Sequence, residues 1–239
     1  MKNSTYDFGL IGLGVMGRNF ILNVADNDFS AFGYDLDQEK VDALVKEGGN
    51  TNKVNASTDL KTFVQALTKP RKIMLLVPAG IESLLPEIEK GDLIIDGGNS
   101  FFTDTDRRET YLKEKGIHFF GSGVSGGAKG ARKGPSIMPG GNKEAYKEVK
   151  PIFEAVSAKF KGEPCVAYLG PKSAGNYVKM VHNGIEYGLM QLTSEIYDLL
   201  KKAGGFNNDE LHEIFNEWNQ GRLQSFLIEI TAEIFAQKD

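Results

Sequence analysis

Four residues within YVKMVHNGIEYG carry the strongest chemical signal in the chain: Lys179, His182, Asn183 and Glu186. They fall at i, i+3, i+4 and i+7, so a helix sets them on one face, with Tyr187 at its margin. A solvated helix face usually repeats Lys and Glu. This one offers an amine, an imidazole, an amide and a carboxylate once each. A Lys and a Glu two turns apart can address two ends of a small substrate as an acid–base set. The same spacing also suits a plain surface face whose charges are too far apart to pair, so the surrounding chain has to decide between the two.

The elements that must position this set begin with the helix itself, expected over 173–202. Val181, Ile185, Leu189, Leu192, Ile196 and Leu199 form an apolar stripe along it, which the 3.6-residue period assigns to core packing. Upstream, a short strand at 6–11 runs into Gly12-Leu13-Gly14-Val15-Met16-Gly17, and a helical pattern follows. This is GxGxxG between a strand and a helix. Gly12 permits the tight turn, Gly14 lets the backbone approach a pyrophosphate, and Gly17 allows close helix–strand packing, with the helix N-terminus facing the phosphates. A second strand at 30–34 ends at Asp35, where a carboxylate is expected to accept hydrogen bonds from the adenosine ribose. Tyr34-Asp35-Leu36-Asp37-Gln38 contains no basic residue, and Lys40 already belongs to the next helix, so NAD is favoured over NADP. The competing role for Asp35 is to cap the helix that starts at Gln38.

The rest of the first 170 residues alternates strand and helix. Helices are expected at 39–47, at 57–67 with Ser57 or Thr58 as cap, at 81–89, at 104–115 and at 143–159. Apolar runs at 72–77 and 92–95 read as buried parallel strands, with further strands at 117–120, 136–138 and 166–168. Val77 closes the fourth strand ahead of Pro78-Ala79-Gly80. Asn99 follows the fifth in Asp96-Gly97-Gly98-Asn99-Ser100. The C-terminal ends of strands are where open parallel sheets bind ligands. The run Gly121–Gly130, which contains Ser125, Gly126 and Gly127, offers several backbone N–H groups to an anion. The pattern predicts an α/β fold, a Rossmann-type doubly wound parallel sheet over 1–172, followed by the start of an all-α domain over 173–239 with helices at 173–202, 208–218 (Asn207 or Asn208 as cap) and 221–236.

Composition narrows the function classes. The 239 residues carry a formal net charge of −4 with 41% hydrophobic and 25% charged residues, which is ordinary globular usage with no basic run for nucleic acid or an anionic membrane surface. One cysteine, Cys165, cannot form an internal disulfide, and the three histidines lack metal-ligand spacing, so no metal site is expected. No apolar run reaches the ~18 residues of a membrane span, and the N-terminal apolar stretch is too short and glycine-broken for a signal peptide. A cytoplasmic protein is expected.

These motifs resemble those of 6-phosphogluconate dehydrogenases, the decarboxylating enzymes of the pentose phosphate pathway. The resemblance rests on GLGVMGRN, IIDGGNS at 94–100, GVSGGAKGA at 123–131, KGPSIMPGG at 133–141 and YVKMVHNGIEYG at 177–188, and it covers nearly the whole chain. It implies that Lys179 is the general base for the substrate's 3-hydroxyl, acting as a neutral amine whose pKa burial lowers, and that Glu186 is the general acid that protonates C1 after CO2 is lost. Asn99, Ser125, Gly126, Gly127, His182, Asn183 and Tyr187 would hold 6-phosphogluconate. Gly12 to Gly17, Asp35, Val77 and Asn99 would hold NAD or NADP, and the complete protein would be a homodimer. The chain departs from the family where an arginine would follow the second strand and a lysine would stand at Pro78. Members also continue for about as many residues again, so an apolar face at Phe226, Leu227, Ile230, Ile234 and Phe235 is expected to stand exposed. The alternatives are a related 3-hydroxyacid dehydrogenase and a non-catalytic nucleotide-binding module.

Overall fold

The structure, a computed structural model, describes residues 5–49, 53–77 and 81–237. In chain order the elements are β1 (Phe8–Ile11), α1 (Val15–Asp26), β2 (Ala31–Tyr34), α2 (Gln38–Gly48), β3 (Val54–Ser57), α3 (Leu60–Gln65), β4 (Lys72–Leu75), β5 (Leu93–Asp96), α4 (Phe102–Glu114), β6 (His118–Ser125), α5 (Gly127–Lys133), β7 (Ser136–Pro139), α6 (Lys143–Val156), a two-residue hairpin β8 (Lys159–Phe160) and β9 (Glu163–Pro164), α7 (Ala174–Lys202), α8 (Asn208–Asn219) and α9 (Phe226–Phe235). They divide into two compact units, Met1–Met180 and Val181–Asp239.

The first unit is built on a seven-stranded sheet in the order β3-β2-β1-β4-β5-β6-β7. Every pairing is parallel except β6 with β7. The order reverses between β1 and β4, which makes the sheet doubly wound and places a ligand crevice at that switch point. Both faces are buried because adjacent strand residues point to opposite sides. Met74, Leu93, Ile95 and Phe120 join Phe8, Leu10, Phe20 and Leu44 in one core, while Ile73, Leu75, Ile94 and Phe119 join Phe32, Phe63 and Leu112 in the other. Asn23 of α1 ties the first layer together, donating to the carbonyls of Ala131 at 3.1 Å and Val156 at 2.9 Å. At the opposite end of the sheet from the crevice, Arg71 pairs with buried Asp92 at 2.7 Å and donates through Nε to Val64 O.

Several local expectations are corrected. Within 57–67 the helix is the shorter α3, with Asp59 as cap; Ser57 instead ends β3, which was not expected, and accepts the Asp59 N–H. The helix expected at 81–89 is a string of turns, since Pro86 has no N–H to continue a helix and disfavours helical geometry at Leu85. Part of the glycine run is strand: β6 extends through Ser125, and α5 starts at Gly127. Residues 166–168 contribute a single bridge, Val166 to Ile137, rather than a strand. Pro78, Ala79 and Gly80 lie outside the described residues.

In the second unit Asn207 caps α8 through a reciprocal pair with Glu210. Phe215 packs against Trp218 and Phe235. The stripe assigned to core packing is not buried here: Ile185 is 62% exposed and Leu199 65%, with Val181, Leu189, Leu192 and Ile196 exposed as well. Periodicity identified the helix, but burial also needs a partner surface, and α8 and α9 do not supply one for this stripe. Phe226 and Ile234 of α9 are exposed, whereas Leu227, Ile230 and Phe235 are half-buried.

Candidate active site

The turn after β1 has the geometry a dinucleotide needs. Gly12 adopts φ +100°, a left-handed-side conformation that side chains resist, and donates to Tyr34 O at 2.9 Å. A Cβ on Gly17 would overlap the Gly12 carbonyl oxygen, so α1 can lie this close to the strand only with glycine there. A Cβ on Gly14, by contrast, would meet nothing within 4 Å. That open space lies at the N-cap of α1, whose first turn no side chain caps. Free N–H groups beside an unfilled cradle suit a pyrophosphate.

Asp35 is tied to this turn. Its Oδ2 accepts the Leu13 N–H at 2.8 Å and its Oδ1 accepts the Asp37 N–H at 3.0 Å. The helix cap is Asp37, which accepts the Glu39 N–H, so the capping role considered for Asp35 falls to its neighbour. Lys40 Nζ lies 3.6 Å from both carboxylates.

A cleft of about 470 Å³ opens at the C-terminal ends of β4 and β5, beside the first turn of α1. Of the residues expected to bind cofactor, Met16, Val77 and Asn99 line it; Leu76, Gly97, Gly98, Ser100, Phe101, Asp104, Arg108 and Val124 complete the wall. Beneath it Asp96 is fully buried, accepts the Gly98 N–H through Oδ1 at 3.1 Å, and faces Arg108 across 3.7 Å. Burial holds the Asp96 carboxyl above the usual carboxylate range, against the opposing influence of Ser100, the Gly98 N–H and Arg108. Arg108 and Asp104 were not singled out from sequence. They sit on a polar helix whose inward face is set by the packing of α4 rather than by any motif.

Ser125 closes β6 opposite Ser136. Gly126 (φ +133°) and Gly127 (φ +59°) turn the chain into α5. Val124 lines the cleft, whereas Ser125, Gly126 and Gly127 are not among its wall residues. Lys179, in the first unit, is 8% exposed. A Cβ on Gly123 would overlap Lys179 Cβ and lie 2.9 Å from its Cγ, so the lysine stem lies on the β6 backbone, beyond the point where Asp96 pairs with Gly121. In the second unit His182 Nδ1 stands 3.5 Å from Glu186 Oε2, Asn183 is half-buried and Tyr187 is 69% exposed. Among the described residues no group of His, Cys, Asp and Glu could hold a metal ion, and no helix is long and apolar enough to cross a membrane.

Comparison with known proteins places this geometry among close relatives. Residues 7–170 match the family model described as the NAD binding domain of 6-phosphogluconate dehydrogenase, and residues 175–239 match that of the 6-phosphogluconate dehydrogenase C-terminal domain. The chain is 55% identical to the NADP(+)-dependent, decarboxylating 6-phosphogluconate dehydrogenase of Bacillus subtilis, over 99% of this chain and 51% of that protein. It is 53% identical to decarboxylating 6-phosphogluconate dehydrogenase 1 of Saccharomyces cerevisiae, over 98% and 49%. It thus spans about half the length of these curated relatives. Among solved structures, Plasmodium falciparum 6-phosphogluconate dehydrogenase, studied in apo form and with NADP+ and with 6-phosphogluconate, superposes with a TM-score of 0.90 at 48% identity, covering 98% of this chain and 51% of that one. A Salmonella typhimurium 3-hydroxyisobutyrate dehydrogenase shares the fold, with a TM-score of 0.75 at 20% identity, covering 94% of this chain and 76% of that one.

Proposed function

The chain belongs to the 6-phosphogluconate dehydrogenase family, and from that premise we propose that its protein oxidatively decarboxylates 6-phosphogluconate to ribulose 5-phosphate and CO2. When bound, the nicotinamide dinucleotide supplies the hydride acceptor. The observation that carries the reading is the placement of Lys179: a buried lysine whose stem lies on Gly123, past the C-terminal end of β5, where a doubly wound sheet presents its ligands.

Lys179 takes the proton of the substrate's 3-hydroxyl as hydride leaves C3. The resulting β-keto acid loses its carboxylate as CO2, the electrons of that bond pass into an enediol whose new hydroxyl takes the proton held on Lys179, and Glu186 then protonates the substrate's former C2, C1 of the ketopentose, as Lys179 takes the hydroxyl proton back. Asn99, Ser125, Gly126, Gly127, His182, Asn183 and Tyr187 hold the sugar acid. Gly12 to Gly17, Asp35, Val77 and Asn99 hold the cofactor: the glycine turn receives the pyrophosphate, and Asp35 faces the adenosine ribose.

NAD is the preferred cofactor in this reading. Asp35 and Asp37 put two carboxylates at the end of β2, and the nearby cation, Lys40, is already shared between them. A 2′-phosphate would meet like charge there, whereas ribose hydroxyls can donate to a carboxylate. The relatives named above as NADP users make this the point on which the chain departs from its family. A homodimer and a cytoplasmic setting belong to the same proposal, the latter supported by the single cysteine.

The test is stoichiometric. With 6-phosphogluconate and cofactor, the protein should release one CO2 per reduced nicotinamide, and Lys179→Ala should lower turnover by about 100-fold or more. Reduction without CO2 release, or an alanine variant as fast as the parent, would contradict the assignment.

A further inference from the structure

The first turn of α7 carries a buried amide that the mechanism above does not use. Asn176 is 3% exposed. Both ends of its side chain leave their own helix: Oδ1 accepts the Thr105 hydroxyl of α4 at 3.2 Å, and Nδ2 donates to the Gly98 carbonyl after β5 at 3.4 Å. The amide fills the space a side chain on Gly121 would take, since a Cβ there would overlap Asn176 Oδ1. The preceding residue, Gly175, is packed as tightly; a Cβ on it would overlap the carbonyl oxygens of Met138 and Gly121. This turn is therefore keyed into β6 and β7 with little room to slide.

Two neighbours give the contact a purpose. Asn99 follows Gly98 directly, and Lys179 lies three residues beyond Asn176, on the same side of the helix. Asparagine is a weak helix former, and a buried amide has to find partners that an alanine would not need. An amide that spends both ends on α4 and the β5 turn gains position at that cost.

We propose that Asn176 is a positioning residue that sets the Gly97–Ser100 turn, and with it Asn99, against the turn of α7 that carries Lys179. The inference rests on the roles given above to Asn99 and Lys179. Asn176→Asp keeps an acceptor for Thr105 but turns a carboxylate oxygen toward Gly98 O. Thr105→Val removes a hydroxyl of nearly the same shape and leaves the Gly98 contact in place.

The experiment titrates this chain and its variants with NAD and NADP by calorimetry, well below the melting temperature. The side-chain amide signals of Asn99 are followed by NMR, assigned through Asn99→Asp. Asn176→Asp is expected to shift the Asn99 signals in the free protein and to weaken cofactor binding by about tenfold. Thr105→Val should melt earlier yet bind within about twofold of the parent. If Asn176→Asp does not fold, Asn176→Ala, which introduces no charge, is read in the same way. A parent chain that binds cofactor, with an Asn176 variant that binds equally and leaves the Asn99 signals unmoved, overturns this inference alone. A parent chain that binds neither dinucleotide overturns the cofactor reading, and this inference with it.

Discussion

Replacing two glycines of one motif with alanine should give opposite results, because the structure assigns them different work. At Gly17 a new Cβ would overlap the Gly12 carbonyl oxygen and lie 3.0 Å from both Gly12 C and Leu10 Cδ2. Carbon–oxygen contacts rest near about 3.3 Å, so α1 would have to move outward by more than about 1 Å. Overpacking of that kind costs about 1–3 kcal/mol, and at about 2–4 °C per kcal/mol the melting temperature should fall measurably. Gly14 has an ordinary φ of −61° and empty space around its Cβ position. There the entropy lost by the unfolded chain and the weaker N-cap roughly cancel, which leaves stability within about 1 kcal/mol. The same methyl would occupy the cradle that a pyrophosphate must enter, and cofactor affinity should fall by at least about tenfold, or about 1.4 kcal/mol. Thermal melts and calorimetric titration of both variants test the pair. Gly14→Ala binding cofactor as the parent does would refute the phosphate cradle. Gly17→Ala melting with the parent would refute the packing role.

Three further outcomes are expected. Asp35→Asn keeps an oxygen for the Leu13 N–H but gives up the one that accepts the Asp37 N–H, so the variant should lose some stability while the NAD-to-NADP affinity ratio falls; a unit charge about 5 Å from a divalent phosphate is worth about 1.7 kcal/mol in water, and an unchanged ratio would show that Asp35 does not set cofactor choice. Arg71→Met leaves Asp92 buried at 1% exposure without its 2.7 Å partner, which should cost about 3–5 kcal/mol in denaturant unfolding; a loss below about 1 kcal/mol would show that the pair is not the clamp it resembles. Asp96 has a folded-state pKa above its unfolded value, so its contribution to stability is fully present below the unfolded pKa and is lost as pH rises through the folded one. Asp96→Asn should therefore melt higher than the parent at pH 7, with the gap closing as pH falls through the carboxylate range; a variant less stable at pH 7 would mean that Arg108 outweighs the burial cost.

The glycine turn was legible in sequence because its requirements are local: a φ only glycine tolerates at Gly12, a contact only glycine permits at Gly17, and a carboxylate closing the next strand. The doubly wound α/β class followed from the alternation of strand and helix, whereas the strand order comes from the structure. Elements decided by distant partners were not legible. β3 was missed because Val54–Ser57 is too short to show a period, and its strand character comes from pairing with β2. Gly121 and Gly123 read as loop residues, yet they lie in β6, where they make room for Asn176 and Lys179 more than fifty positions downstream. Arg108 belongs to the cleft only because α4 packs beside β6. The apolar stripe of α7 marks the converse limit, since a period fixes which residues share a face but not what covers that face.

The central claim is a dinucleotide site whose cofactor choice is set by Asp35, and titration of this chain with NAD and NADP at one fixed salt concentration tests it most directly. NAD binding tighter by about tenfold or more, about 1.4 kcal/mol, is the predicted result. Equal or tighter NADP binding would contradict it.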